Sequence, residues 1–148
     1  MASHDPAEAG KKLGKLGDRL QCVVVTPERT LFDHLVDFVA LPIYDGEVGI
    51  LPGRTPLIAR LGYGELRTKT DGGTKRYFVD GGFAQVRDDV ITVLTNRAIP
   101  AEQIDTSVAA RDLEHAQARH ATTDYEQAEK AKAVDRARAQ IRVGSRHV

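Results

Sequence analysis

Val90-Ile91-Thr92-Val93-Leu94 runs on to Pro100, and Asp105-Thr106-Ser107-Val108-Ala109-Ala110 follows at once. The chain changes character between these two stretches. Pro100 is the last of six prolines, and twelve of the thirteen glycines lie before it, Gly144 being the exception. Seven of the eight aromatic residues also lie before it, leaving Tyr125. Glycine and proline interrupt helices at costs of about 1 and about 3 kcal/mol, so a long segment free of them can be helical. The break divides the 148 residues into an all-β domain over 20–100 and a helical domain over 101–148. A flexible arm over 1–19 precedes them, with Gly10, Gly14 and Gly17 among its lysines.

Upstream of the break, short apolar runs alternate with turn signals. Leu20 to Thr26 is β-branched and stops at Pro27, and Thr30 to Leu41 alternates apolar and polar in part. Val48–Leu51, Pro56–Leu61 and Gly64–Thr70 are further candidates, each bounded by glycine or proline. Asp71-Gly72-Gly73 reads as a hairpin turn, Asp88-Asp89 as another, with Arg76–Asp80 and Phe83–Val86 between them. About eight to ten short strands at this spacing predict a sandwich or barrel rather than an α/β sheet.

Downstream, Asp105, Thr106 or Ser107 can cap a first helix whose inner stripe is Ala109, Leu113, Ala116 and His120. Thr122-Thr123-Asp124, with Glu126 behind it, caps a second, whose stripe is Ala128, Ala131, Val134, Ala137 and Ile141. Stripes this small suit an antiparallel hairpin of two close helices, and they predict weak packing on the sandwich.

Composition limits the function. Lys plus Arg and Asp plus Glu each number 21, and a formal net charge of zero argues against non-specific nucleic-acid binding. The single cysteine leaves no internal disulfide or multi-cysteine metal site and fits a reducing compartment. No apolar stretch approaches the roughly 20 residues of a membrane span, and 1–18 has no secretory apolar core. The expectation is an intracellular protein that reaches a membrane only through a partner.

No reaction centre assembles from the sequence. Asp33, His34 and Asp37 can be drawn as a hydrolase cluster, yet on an alternating strand His34 points away from both carboxylates. His115 and His120 miss the i, i+4 spacing of helical zinc ligands, and Cys22 sits in an apolar run. Gly46-Glu47-Val48-Gly49-Ile50-Leu51-Pro52-Gly53-Arg54 is not a Walker loop, since no Gly-Lys-Ser/Thr follows. It reads either as tight turns between strands or as a rigid turn that holds Glu47 out to a partner's cation. Eight bases in the helical part are offset by eight acids, although every charge after Asp135 is positive.

Four stretches together resemble the epsilon subunit of F-type ATP synthases, from about Leu20 to Val143. They are Val24-Val25-Thr26-Pro27-Glu28 leading into Leu31-Phe32; Gly46 to Gly53; Gly81-Gly82-Phe83-Ala84-Gln85-Val86 with Val90 to Leu94; and Tyr125 to Val143. Arg54 stands where the family usually has histidine, Asp80 where it has serine, and Gln85 where it has glutamate. The resemblance implies a sandwich with a C-terminal helical hairpin and a non-catalytic place in the central stalk. Its partners would be gamma and the c-ring, with Glu47 and Arg54 as contact residues, and alpha and beta reached through the hairpin. The sandwich would couple the rotor to ATP synthesis, and the hairpin would restrain ATP hydrolysis. It also implies a location on the cytoplasmic face of the inner membrane, within the complex, with no cofactor or metal. Nucleotide-binding members open the first helix with Ile/Leu-Asp-x-x-Arg-Ala. Ile104, Asp105 and Ala109 match, but Val108 replaces the arginine, so weak or absent ATP binding is expected. The alternatives are an adaptor of some other assembly and a small hydrolase built on Asp33, His34 and Asp37.

Overall fold

The computed structural model describes residues 19–146. The proposed arm over 1–19 therefore lies outside the described residues, save for Arg19. Eight strands come first: β1 Leu20–Val25, β2 Thr30–Val36, β3 Phe38–Ile43, β4 Gly46–Ile50, β5 Leu57–Thr70, β6 Gly73–Arg87, β7 Val90–Leu94 and β8 Ala98–Pro100. A 3-10 turn, Ala101–Gln103, leads to helices α1 Thr106–Ala118 and α2 Asp124–Ser145. The strands hydrogen-bond in the order β2-β1-β7-β6-β5-β3-β4, with β8 on β6. Only β1 and β7 run parallel among these pairs.

The sheet folds around one apolar core, as a sandwich does. Leu20, Cys22 and Val24 enter it from β1, and their neighbours Gln21, Val23 and Val25 face the other way, the period of two that a strand imposes. Leu41, Ile50, Leu61, Leu66, Val79, Val86, Ile91 and Val93 fill the rest. Cys22 is fully buried, and burial, with a smaller contribution from Asp33, pushes its thiol up to about 12.

Glycines read as strand ends prove to be bends. Pro56–Leu61 and Gly64–Thr70 are one strand, β5; Arg76–Asp80 and Phe83–Val86 are another, β6. Gly81 and Gly82 adopt φ of 67° and 107°, which lets β6 turn without breaking. Its first half pairs with β8 at Tyr77–Val79, and its second half with β7 at Phe83–Arg87. The run Thr30–Leu41 does the opposite and divides at Asp37. β8 was not anticipated, because three residues show no period. The two expected turns are present: Thr70 pairs with Gly73 across Asp71-Gly72, and Asp88 and Asp89 both take positive φ, 52° and 60°.

The helices start where the cap residues predict. Asp105 accepts from the backbone N–H of Ser107 (3.0 Å) and of Val108 (3.2 Å). Thr123 and Glu126 form a reciprocal capping box. Donors from Thr123 and Thr122 hold the Glu126 carboxyl down at about 2. On α1, Ala109 and Ala116 are buried and Leu113 half-buried, but His120 falls beyond the helix and is exposed. On α2 the expected stripe is only half right. Ala137 is buried and Val134 and Ile141 half-buried, whereas Ala128 and Ala131 are exposed. Ala139 and Val143, absent from that stripe, are buried instead. The reason is that α2 has two neighbours: it packs on α1 and also on β5 and β6. Ala139 and Val143 join Phe78 and Ala101 in a second small core, edged by Tyr63, Ile99 and Ile104.

Candidate functional site

Glu47 lies in β4, directly after the turn at Tyr44-Asp45 rather than within it. Its carboxylate is exposed but engaged: Arg67 of β5 grips both oxygens, Nη1 to Oε2 at 2.9 Å and Nη2 to Oε1 at 3.2 Å. This bidentate geometry fixes the side chain's direction. Arg54 is exposed, in the loop between β4 and β5. That loop is tied elsewhere, since the backbone N–H of Gly53 donates to Asp89 at 2.7 Å. The structure does not join Glu47 and Arg54 into one pocket. They are separate features at the two ends of β4.

Outside the expected set, three large apolar side chains share an outer face of the sheet. Phe83 on β6 stands opposite Leu94 on β7, and Leu94 stands opposite Val25 on β1. Ile58 on β5 pairs with Gln85, which places it diagonally from Phe83. Ile58 is 75% exposed, Phe83 57% and Leu94 52%. Ala84, Val86, Ile91 and Val93 on the same strands point inward, while Gln85 and Thr92 share the outer face with the three apolar side chains. A sheet face of this kind marks a contact surface. The signal was present in Gly82-Phe83-Ala84-Gln85-Val86, where the residues on both sides of Ala84 are large, but one strand alone does not reveal a patch.

The residues of the degenerate nucleotide motif have structural roles. Ile104 packs at the edge of the second core, Asp105 caps α1, and Ala109 is buried on its inner side. The Asp105 carboxyl is held below its usual range, first by the Ser107 hydroxyl and then by the Val108 N–H. Val108 is 40% exposed and offers no side-chain donor. Titration calorimetry with Mg-ATP is expected to show no submillimolar binding to the unmodified chain, and gain of binding in Val108→Arg. Submillimolar binding without that change would refute the argument.

Asp33, His34 and Asp37 do not converge. Asp33 accepts from Gln21 Nε2 at 2.8 Å, His34 stacks on Phe32, and Asp37 meets Arg19 Nε at 3.2 Å. No group of three His, Cys, Asp or Glu residues among those described is placed to hold a metal ion.

The seam between α2 and the sandwich holds charges that a stripe reading assigns to solvent. Arg136 Nε donates to Asp80 Oδ1 at 2.9 Å, and its guanidinium lies over the Tyr63 ring. Burial alone would lower Arg136, but the Asp80 hydrogen bond and charge prevail and raise it. Arg76 donates through Nε and Nη2 to Glu65 (2.7 and 3.1 Å), and also to the carbonyls of Val143 (2.9 Å) and Arg146 (2.8 Å). Arg146 Nη1 returns to Glu65 Oε2 at 3.1 Å. For Glu65, burial pushes its carboxyl up. The Arg76 hydrogen bond, with the charges of Arg76, Arg146 and Arg67, outweighs it and holds the group below its usual range.

A β-sandwich with a docked helical hairpin and an apolar outer sheet face defines a contact-making subunit. The beta-sandwich domain of the ATP synthase delta/epsilon chain matches residues 19–101. The ATP synthase epsilon chain of Rhodopirellula baltica is 54% identical over 123 residues, covering 83% of this chain and 96% of that one. That of Carboxydothermus hydrogenoformans is 42% identical over 104 residues, covering 70% and 78%. A chain of the Euglena gracilis mitochondrial ATP synthase, solved with OSCP, F1 and the c-ring, superposes with a TM-score of 0.74. It is 25% identical, over 82% of this chain and 79% of that one. One from the Tetrahymena thermophila central stalk and c-ring shares the fold at a TM-score of 0.69 and 10% identity, covering 84% and 96%. The chain belongs to the ATP synthase epsilon family.

Proposed function

We propose that this chain is a non-catalytic subunit of the central stalk of an F-type ATP synthase, coupling proton flow to ATP synthesis through gamma and the c-ring. The exposed apolar trio of Ile58, Phe83 and Leu94 carries the reading, because it lies on the sandwich that the family shares. Gamma is its natural occupant in a family whose members assemble with F1 and the c-ring. Glu47 and Arg54 are then contact points with the rotor at the two ends of β4. Arg67 pre-orients the Glu47 carboxylate, so ordering it on binding costs little. Arg54 supplies a permanent cation where relatives have a titratable histidine. The chain is peripheral, on the cytoplasmic face of the inner membrane, and is held there by its complex. No described helix is long and apolar enough to cross a membrane.

The division into a sandwich over 20–100 and a hairpin over 101–148 belongs to the same reading. The hairpin reaches alpha and beta and restrains ATP hydrolysis. Truncation after Pro100 in a reconstituted complex tests both parts. The shortened chain is expected to retain gamma, and ATPase activity should rise severalfold. Loss of gamma from a folded sandwich would remove the stalk assignment, and unchanged ATPase would remove the restraint. A shortened chain that cannot fold would show that the hairpin belongs to the sandwich's core.

A further inference from the structure

The hairpin is held on the sandwich by a small apolar core and by charge together. Two of the four buried residues in the seam are alanines, Ala101 and Ala139, beside Phe78 and Val143. Side chains that small bury little area and contribute correspondingly little. Two ionic contacts flank this patch. One is Asp80–Arg136, at the middle of α2. The other is the Glu65–Arg76 pair, which receives Arg146 and the last carbonyls of α2, so that Arg76 caps the helix from a different domain.

We propose that these two contacts form an electrostatic latch that sets how often the hairpin leaves the sandwich. The latch rests on reading the hairpin as a detachable restraint, and it names the residues that govern the detachment. Reversibility follows from where the charges go on release. Glu65 and Arg76, each only 9% exposed in their side chains, remain paired with each other on neighbouring strands. Asp80 gains water once α2 has gone, and Arg136, already 37% exposed, solvates readily. No buried charge is stranded, so opening avoids the large penalty of an orphaned ion. The carbonyls of Val143 and Arg146 likewise pass to water.

The test uses the full chain, alone and in its complex, with dyes on Asp71→Cys and Gln117→Cys. Both positions are exposed, one on the sandwich and one on α1, and the buried Cys22 is shielded from labelling. Energy transfer reports the ratio of released to docked hairpin. Asp80→Asn and Arg136→Gln should each raise that ratio about three- to tenfold, as expected for a half-buried charged hydrogen bond. The double variant should do no more than the larger single, since both remove the same contact. Arg136→Lys keeps the charge but loses the Nε donor and the planar contact with Tyr63, so it should raise the ratio less than Arg136→Gln does. Arg146→Gln should raise the ratio independently, and raising the salt from about 50 to about 500 mM should raise it in the parent. Single variants that match the parent, or a double variant whose effects simply add, would overturn the latch. Release as expected with unchanged ATPase in the complex would leave the latch standing and remove the restraint instead.

Discussion

Gly82→Ala is expected to destabilise the sandwich severely. Gly82 sits at φ 107°, where an L side chain is strained, and a Cβ there would overlap the carbonyl oxygen of Leu94. Neither group can yield cheaply, because Leu94 belongs to β7, which pairs with both β6 and β1. Relief would require parting β6 from β7 at the corner that lets β6 serve both halves of the sheet. Backbone strain and overlap together should cost at least about 3 kcal/mol. That is a large share of the roughly 5–15 kcal/mol by which a domain is stable. Urea unfolding followed by circular dichroism measures it. Gly72→Ala is the control, since its nearest neighbour would be an ordinary 3.5 Å away, and it should change stability by less than about 1 kcal/mol. A Gly82→Ala protein as stable as the control would show that the bend relaxes without cost.

The second large effect concerns binding. Phe83→Asp combined with Ile58→Asp should weaken gamma binding at least about a hundredfold, because two apolar anchors of one face become charges that must be desolvated. Both side chains point outward, so the melting of the isolated chain should change by less than about 0.5 kcal/mol. Co-purification and titration with gamma read the first effect, and thermal unfolding reads the second. Undiminished binding by the folded double variant would place the gamma contact elsewhere on the sandwich.

Much of the site was hidden from sequence for one physical reason. A strand's outer residues are interpretable only beside those of its neighbours. Phe83 looks like any apolar residue at the start of a short run until β7 places Leu94 opposite it and β5 places Ile58 diagonally. Glu47 was legible as a carboxylate in a rigid stretch. Its grip by Arg67, twenty residues away, was not. In the sequence Asp80 is only a departure from the family's serine, and Arg136 only one of eight bases offset by eight acids. Their bond spans 56 residues.

What the sequence determined by itself is the local chemistry. The break at Pro100, the cap clusters Asp105 to Ser107 and Thr122 to Asp124, and the turns at Asp71-Gly72-Gly73 and Asp88-Asp89 all depend on residues within a few positions of one another. Backbone preference and hydrophobic period act over that range, so they can be read directly. The four matching stretches also sufficed to indicate the epsilon family, before any coordinates. Only the tertiary structure decided whether Gly62 and Gly81-Gly82 end strands or bend them, and which face of α2 meets α1 and which meets β5 and β6. The same holds for the charges that close the seam. Each of those outcomes depends on which distant segment comes alongside, and a glycine or an arginine carries no local record of its eventual neighbour.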